Sequence, residues 1–163
     1  MGTRQRRSAG WAYVLRRYIA VSALAHLVWE ILQLPLYMLW TTGTRQNRVF
    51  AVLHCTAGDV AIAAGALLMA LALFGRPQWP KQNAALVFAA SLALGLGYTI
   101  YSEWLNISVR GSWAYSNLMP TVPVLGTGLA PLLQWLVVPA LALWLAIGRA
   151  PWLDQCNKAR SMQ

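Results

Sequence analysis

Charged residues are scarce in this chain, and acidic residues are scarcer still. Only 10% of the 163 residues are charged, whereas soluble domains average about 25%. Hydrophobic residues make up 58%, which is more apolar surface than a soluble domain of this length can bury. Disordered chains are poor in apolar residues. The composition therefore excludes both classes and predicts an integral membrane protein.

The sequence also lacks the motifs of common cofactor and metal sites. Its two cysteines, Cys55 and Cys156, provide neither a disulfide framework nor a zinc motif. Phosphate loops, nucleophile elbows and dinucleotide fingerprints are absent from the sequence. The histidines and acids could supply mixed nitrogen and oxygen ligands for iron or zinc, but no Glu-x-x-His or His-Glu-x-x-His spacing is present. We expect no metal and no other cofactor.

Four apolar windows are long enough to cross a bilayer, which takes about 20 residues. They cover residues 18–40, 51–74, 84–106 and 128–148. Pro35 lies in the first window, and Pro131 and Pro139 lie in the fourth, where membrane helices tolerate proline with a kink. The sequence predicts an all-α fold over residues 1–163: a single transmembrane domain built as a four-helix bundle. The 107–127 connection is predicted to lie at the outer interface or to fold back as a lid.

The thirteen cations give a net charge of +9 and set the predicted orientation. Ten flank one side of the spans: Arg4, Arg6, Arg7, Arg16, Arg17, Arg76, Lys81, Arg149, Lys158 and Arg160. The other side holds Arg45, Arg48 and Arg110. Because cations concentrate in cytoplasmic flanks, both termini are predicted to be cytoplasmic, in a multi-pass protein of the inner membrane. These clusters lack interleaved aromatic residues that would bind RNA, so no nucleic-acid partner is expected.

Polar side chains interrupt the apolar windows in a regular pattern. In the first window they follow one another at spacings of four, three and four, which places them on one helical face: His26, Glu30, Gln33 and Tyr37. Glu30 is predicted to lie near mid-membrane. An ionisable group at that depth costs at least about 2.5–3.5 kcal/mol on insertion scales, so it marks a functional site by default.

The other windows bring polar groups to comparable depth. Asp59 is predicted to point into the bundle, with His54 near the headgroups. The third window contributes Glu103 and Asn106, and the fourth contributes Gln134. We expect one enclosed site, walled by four tryptophans: Trp29, Trp104, Trp113 and Trp135. Desolvation and like charges favour the neutral carboxyl, and a neutral carboxyl can donate a proton.

Packing roles remain open for each of these residues. His26 and Glu30 could pair with each other as neighbours on one helix, and Asp59 could cap a neighbouring backbone. Glu103 could be interfacial, and Gln134 could hydrogen-bond between helices.

The segment His26-Leu27-Val28-Trp29-Glu30 resembles the His-x-x-x-Glu helix of the emopamil-binding protein and sigma-2 receptor family, the EXPERA domain. Asp59 is similar to the acid of that family's next helix. Gln134, Trp135 and Pro139 resemble the amide, Trp and Pro of its last helix. The resemblance implies a four-helix module with a lipid-accessible cavity. It also implies that His26 and Glu30 shuttle a proton in a double-bond isomerisation, with Trp29 or Trp135 facing the carbocation.

Together these features predict a small membrane enzyme that acts by acid–base chemistry, without a metal, on a hydrophobic, isoprenoid-derived lipid. Isomerisation or cyclisation fits this inventory, because aromatic faces stabilise a cation. The predicted catalytic residues are His26, Glu30, Asp59 and Glu103. The predicted substrate-binding residues are Trp29, Gln33, Tyr37, Asn106, Trp113, Gln134 and Trp135. Two alternatives remain: a subunit that binds a lipid, quinone or haem for a larger membrane complex, and a small proton-coupled carrier. A homodimer is also left open.

Overall fold

The computed structural model of the protein describes residues 2–148, which form long helices joined by short connections. The helices are α1 (Gly2–Gln33), α2 (Leu39–Thr42), α3 (Arg45–Phe74), α4 (Ala84–Trp104) and α5 (Leu129–Gly148). Four segments are long and apolar enough to cross a membrane: Trp11–Leu36, Arg45–Phe74, Ala84–Val109 and Leu129–Gly148. The predicted all-α, four-span, multi-pass architecture is confirmed. The orientation stays a prediction, and three of its supporting cations lie outside the described residues: Arg149, Lys158 and Arg160.

The first span differs from its predicted bounds of 18–40. It runs over Trp11–Leu36, because α1 begins earlier and Pro35 ends it rather than kinking it. Proline lacks the N–H that the helix would need at this point, and the chain continues as a 3₁₀ turn over Leu34–Leu36. Glu30 consequently lies about 9 Å along the helix from Leu36. That Glu30 lies near mid-membrane stays a prediction.

Local side-chain hydrogen bonds fix the ends of the next two spans. The Thr44 hydroxyl accepts a hydrogen bond from the backbone N–H of Asn47 at 3.2 Å, so α3 has a threonine cap and starts six residues before the predicted bound. Asn83 precedes α4 with a left-handed φ of 57°, which asparagine tolerates better than most residues. Its side-chain amide donates to the Phe74 carbonyl at 3.2 Å, which ties the two helices together. After α4 the chain widens into a π-helical turn over Leu105–Val109.

The two ends of the bundle differ in character. We call the end that carries the 75–83 loop the core end, and the end that carries the 110–128 segment the connection end. Helix α1 packs on α3 and α5, and α4 packs on α3 and α5. At the core end the buried side chains are mostly apolar, and Trp11 meets Trp79 edge-on with ring centroids 5.5 Å apart. The polar residues of the spans collect toward the connection end.

One glycine lets α4 and α5 approach closely. A side chain at Gly95 would collide with the ring of Trp135, so the two helices can pack at this distance only with glycine there. In the described part of the chain, Gly58, Gly65 and Gly97 have no heavy atom of a neighbouring element within 4 Å of the place of a Cβ. Of these four glycines, Gly95 is therefore the one at a close helix contact.

Candidate functional site

A cavity of about 840 Å³ occupies the connection end of the bundle. This volume is within the range of ligand pockets, about 300–1,000 Å³. All four spans and the 110–128 connection contribute to its walls. Nine of the predicted site residues line it: Glu30, Gln33, Tyr37, Asp59, Glu103, Asn106, Trp113, Gln134 and Trp135. The structure therefore brings together polar residues that are up to 104 positions apart in the chain.

Gln134 of α5 is the centre of the polar cluster in the cavity wall. Its amide nitrogen lies 2.9 Å from His26 Nδ1, 3.1 Å from Glu30 Oε1 and 2.9 Å from Asp59 Oδ2. A primary amide nitrogen carries two hydrogens, so it cannot donate to all three atoms at once. One imidazole and two carboxyls therefore surround a single amide nitrogen.

Glu30 and Asp59 are the two carboxyls that meet at this amide. Two buried carboxyls held this close repel each other when both are ionised, so we expect a single proton to be shared between them. Gln33 also donates to Glu30 Oε1, at 2.6 Å. We call Glu30 and Asp59 the acid pair. Glu30 is 8% exposed and the Asp59 side chain 15%, so little water competes for the shared proton.

His26 lies behind the acid pair and does not line the cavity. It is fully buried, and its Nδ1 lies 3.5 Å from Asp59 Oδ2. Its ring centroid is 5.7 Å from that of Trp135, and within residues 11–148 its Nε2 has no hydrogen-bond partner. No hydrogen bond joins His26 directly to Glu30 among the contacts of residues 11–148. The two are linked through Gln134 instead of the direct pairing that the sequence left open.

Glu103 forms a second acidic position in the cavity. It is 7% exposed and accepts a hydrogen bond from the Tyr115 hydroxyl. That hydroxyl accepts in turn from the backbone N–H of Gly128 at 2.7 Å. Burial, followed by the neighbouring Glu103 carboxyl, raises the pKa of Tyr115, so its hydroxyl keeps its proton and stays a donor. A residue of the connection thus binds Glu103, whose side chain is buried in the protein.

The 110–128 connection is fixed to the end of the first span. Met38 N–H donates to the Ala114 carbonyl at 2.9 Å, and Ser116 N–H donates to the Leu36 carbonyl at 2.9 Å. These bonds form an antiparallel bridge between Tyr37 and Tyr115, whose rings lie 5.5 Å apart. The connection is therefore anchored beside the cavity, which its first residues, 110–114, help to line. Whether it acts as a lid stays a prediction. Burial raises the pKa of Tyr37 well above its ordinary value, and the nearby Glu103 and Tyr115 add to the shift.

Two predicted wall tryptophans do not reach the cavity. Trp104 is 51% exposed and points away from the bundle, since it follows the inward-facing Glu103 by one position, about 100° around the helix. Trp29 is also absent from the lining residues. The prediction that these two rings enclose the site was therefore wrong. Trp113 and Trp135 do line it.

Sequence reasoning missed several residues of the site. Cys55 lies one turn before Asp59 on α3, and that spacing could have placed it in the cavity. His54 is exposed, as expected near headgroups, yet it also lines the cavity. Tyr115 and Arg110 belong to segments without periodicity, so no sequence signal could have paired Tyr115 with Glu103.

Within the described part of the chain, no three His, Cys, Asp or Glu side chains are grouped so that they could hold a metal ion. The comparisons with protein-family models, curated proteins and solved structures found no match.

Proposed function

We propose that the chain is a small membrane enzyme that uses its buried carboxyl and histidine groups for acid–base chemistry on a hydrophobic, isoprenoid-derived lipid. The observation that carries this proposal is the acid pair: two buried carboxyls that contact one amide nitrogen in the wall of a large cavity. A carboxylic acid kept neutral can protonate an alkene carbon. Isomerisation or cyclisation is the reaction type that such a donor serves.

In the proposed reaction, the acid pair gives its shared proton to one alkene carbon, so that an O–H bond breaks and a C–H bond forms. The resulting cation lies beside Trp135, whose ring face stabilises positive charge. A second carboxyl, Glu103, then removes a proton from a neighbouring carbon, and the C–H electrons form the new double bond. One proton enters the lipid and one leaves, so no oxidant or reductant is needed.

His26 and Gln134 are positioning residues in this scheme. Gln134 holds both members of the acid pair through one nitrogen atom. His26 lies against Asp59 from the side away from the cavity and can receive or return a proton without touching the substrate.

Deuterium incorporation tests the proposal on a mixture of lipids, so that the substrate need not be chosen in advance. The purified protein is incubated with a membrane lipid extract in D₂O, and lipids that gain deuterium on carbon are identified by mass spectrometry. We expect the wild type to label a lipid, and Glu30→Gln and Asp59→Asn to abolish labelling while the protein stays folded. Both changes keep a hydrogen-bonding group but remove the transferable proton.

Asp154→Asn is the matched control, because it makes the same chemical change at an acid that the sequence places after the last span. Full labelling by both Glu30→Gln and Asp59→Asn would show that these acids are not catalytic and serve in helix packing. A wild type that labels nothing but carries a tightly bound lipid, quinone or haem would instead favour the accessory-subunit alternative.

A further inference from the structure

Exposed residues of α3 and α4 belong to the lining of the cavity, so the cavity is open on this side of the bundle. On α3 they include Phe50, which is 69% exposed, and the exposed Gly58, and on α4 they include Tyr98, which is 50% exposed. Because exposed side chains of membrane-spanning helices face lipid, a hydrophobic molecule can enter here without passing through water.

The cavity extends from the exposed connection end into the bundle. Its lining at that end includes the exposed polar residues Thr42, Asn47 and Ser112. Its deepest lining residue on α3 is Ile62, about 22 Å further along the helix than Asn47 at the rise of an α-helix. This length suits an amphiphile whose head group stays at the exposed end and whose chain reaches the acid pair.

Arg110 is the one cation among the residues that line this cavity. It directly follows the π-helical turn, with its side chain exposed at the rim. Arg48, on the same end of the bundle, lies 5.2 Å over the Trp40 ring and donates to the Thr44 carbonyl at 3.4 Å. Arg110 makes no such contact within residues 11–148. Guanidinium groups bind phosphate and carboxylate through paired hydrogen bonds.

We infer that the cavity binds an amphiphile with an anionic head group, a phosphate or a carboxylate, which Arg110 holds at the rim while the chain lies along the acid pair. This inference rests on the proposed function for the class of lipid, and it adds the head group and the residue that recognises it. The neutral membrane alcohol with the same chain binds more weakly, because it gives the guanidinium no charge to pair with.

Cys55 provides a direct readout, because it lines the cavity and lies one turn from Asp59. In a Cys156→Ser background, in nanodiscs of phosphatidylcholine, the rate at which N-ethylmaleimide modifies Cys55 is measured with farnesyl phosphate, farnesol or inorganic phosphate added. We expect farnesyl phosphate to protect Cys55 at a concentration about tenfold lower than farnesol, the order expected for one charge-assisted contact. Inorganic phosphate should not protect at all.

Arg110→Gln should remove the preference for farnesyl phosphate, Arg110→Lys should retain part of it, and Arg48→Gln should leave it intact as the matched control. Equal protection by the phosphate and the alcohol, or an unchanged preference in Arg110→Gln, would overturn the inference. Protection by inorganic phosphate alone would overturn it as well, because it would show a site for the free anion instead. Labelling requires no turnover, so it can be repeated in Glu30→Gln, and its failure is distinguishable from failure of the proposed reaction.

Discussion

Replacing Gln134 by leucine tests how far the polar cluster depends on one amide. The substitution removes the donor that His26, Glu30 and Asp59 share and keeps a side chain of similar size. Glu30 retains its 2.6 Å bond from Gln33, so the loss falls mainly on His26 and Asp59. Interhelical hydrogen bonds in membrane proteins contribute about 0.6 kcal/mol each, up to about 1.7.

Two such losses predict that Gln134→Leu lowers the free energy of unfolding by about 1–3 kcal/mol. The measurement is reversible unfolding of the purified protein in mixed micelles by increasing fractions of sodium dodecyl sulfate. Gln33→Leu is the matched control: it removes one short bond to Glu30 and a 3.4 Å contact with Gln134, and should cost less.

The same variant also tests the route of coupling between His26 and Glu30. A double-mutant cycle with His26→Leu and Glu30→Leu should give a larger coupling energy in the wild type than when Gln134 is leucine, because that amide contacts both side chains and leaves only the longer route through Asp59 when it is removed. If Gln134→Leu were as stable as the wild type, or if the coupling were undiminished in it, the interpretation of Gln134 as the centre of the cluster would be refuted.

Three further predictions concern the hydrogen bond of Tyr115, the helix contact at Gly95 and the orientation in the membrane. Tyr115→Phe removes the donor to Glu103 and should lower stability by about 1–3 kcal/mol in thermal unfolding. The pKa of Tyr115 is raised in the folded protein, so above about pH 10 the tyrosine ionises in the unfolded state first. The free energy of unfolding of the wild type should therefore fall above this pH more steeply than that of Tyr115→Phe. Parallel pH profiles would contradict this. Gly95→Ala should push the Trp135 ring from its place and lower the melting temperature, whereas Gly97→Ala should not; equal melting temperatures would refute the close approach. Reporter fusions in the turn between α2 and α3 and at the C-terminus should report opposite compartments, and the same compartment at both would overturn the predicted orientation.

The spans were predictable from the sequence because bilayer thickness dictates a length of apolar helix that composition reveals directly. The residues at which the spans end were harder to predict. Pro35 lies inside an apolar run that continues to Trp40, and hydropathy cannot tell a kink from a stop. The end becomes clear only when the chain beyond Pro35 pairs with the connection.

The candidate site was predictable to the extent that it follows helical periodicity. His26, Glu30 and Gln33 share one buried face, as their spacing predicts. Periodicity does not say which helix supplies the partner, so the position of Gln134 between the acid pair and His26 could not be predicted. The sequence also could not show which way Trp104 faces, because an aromatic residue near a membrane surface is favoured whether it faces lipid or protein.

The position of Gln134 near the start of α5 has a consequence for biogenesis. The acid pair and His26 come from α1 and α3, which are synthesised first, while the amide that binds them arrives with the last span. Until α5 packs between α1 and α4, three ionisable groups lie in the membrane without this donor, a state that insertion scales penalise. The hydrogen bonds of Gln134 therefore stabilise the correctly docked last helix. In a chain truncated before Leu129, His26, Glu30 and Asp59 should stay exposed to lipid, where membrane quality-control proteases can recognise them.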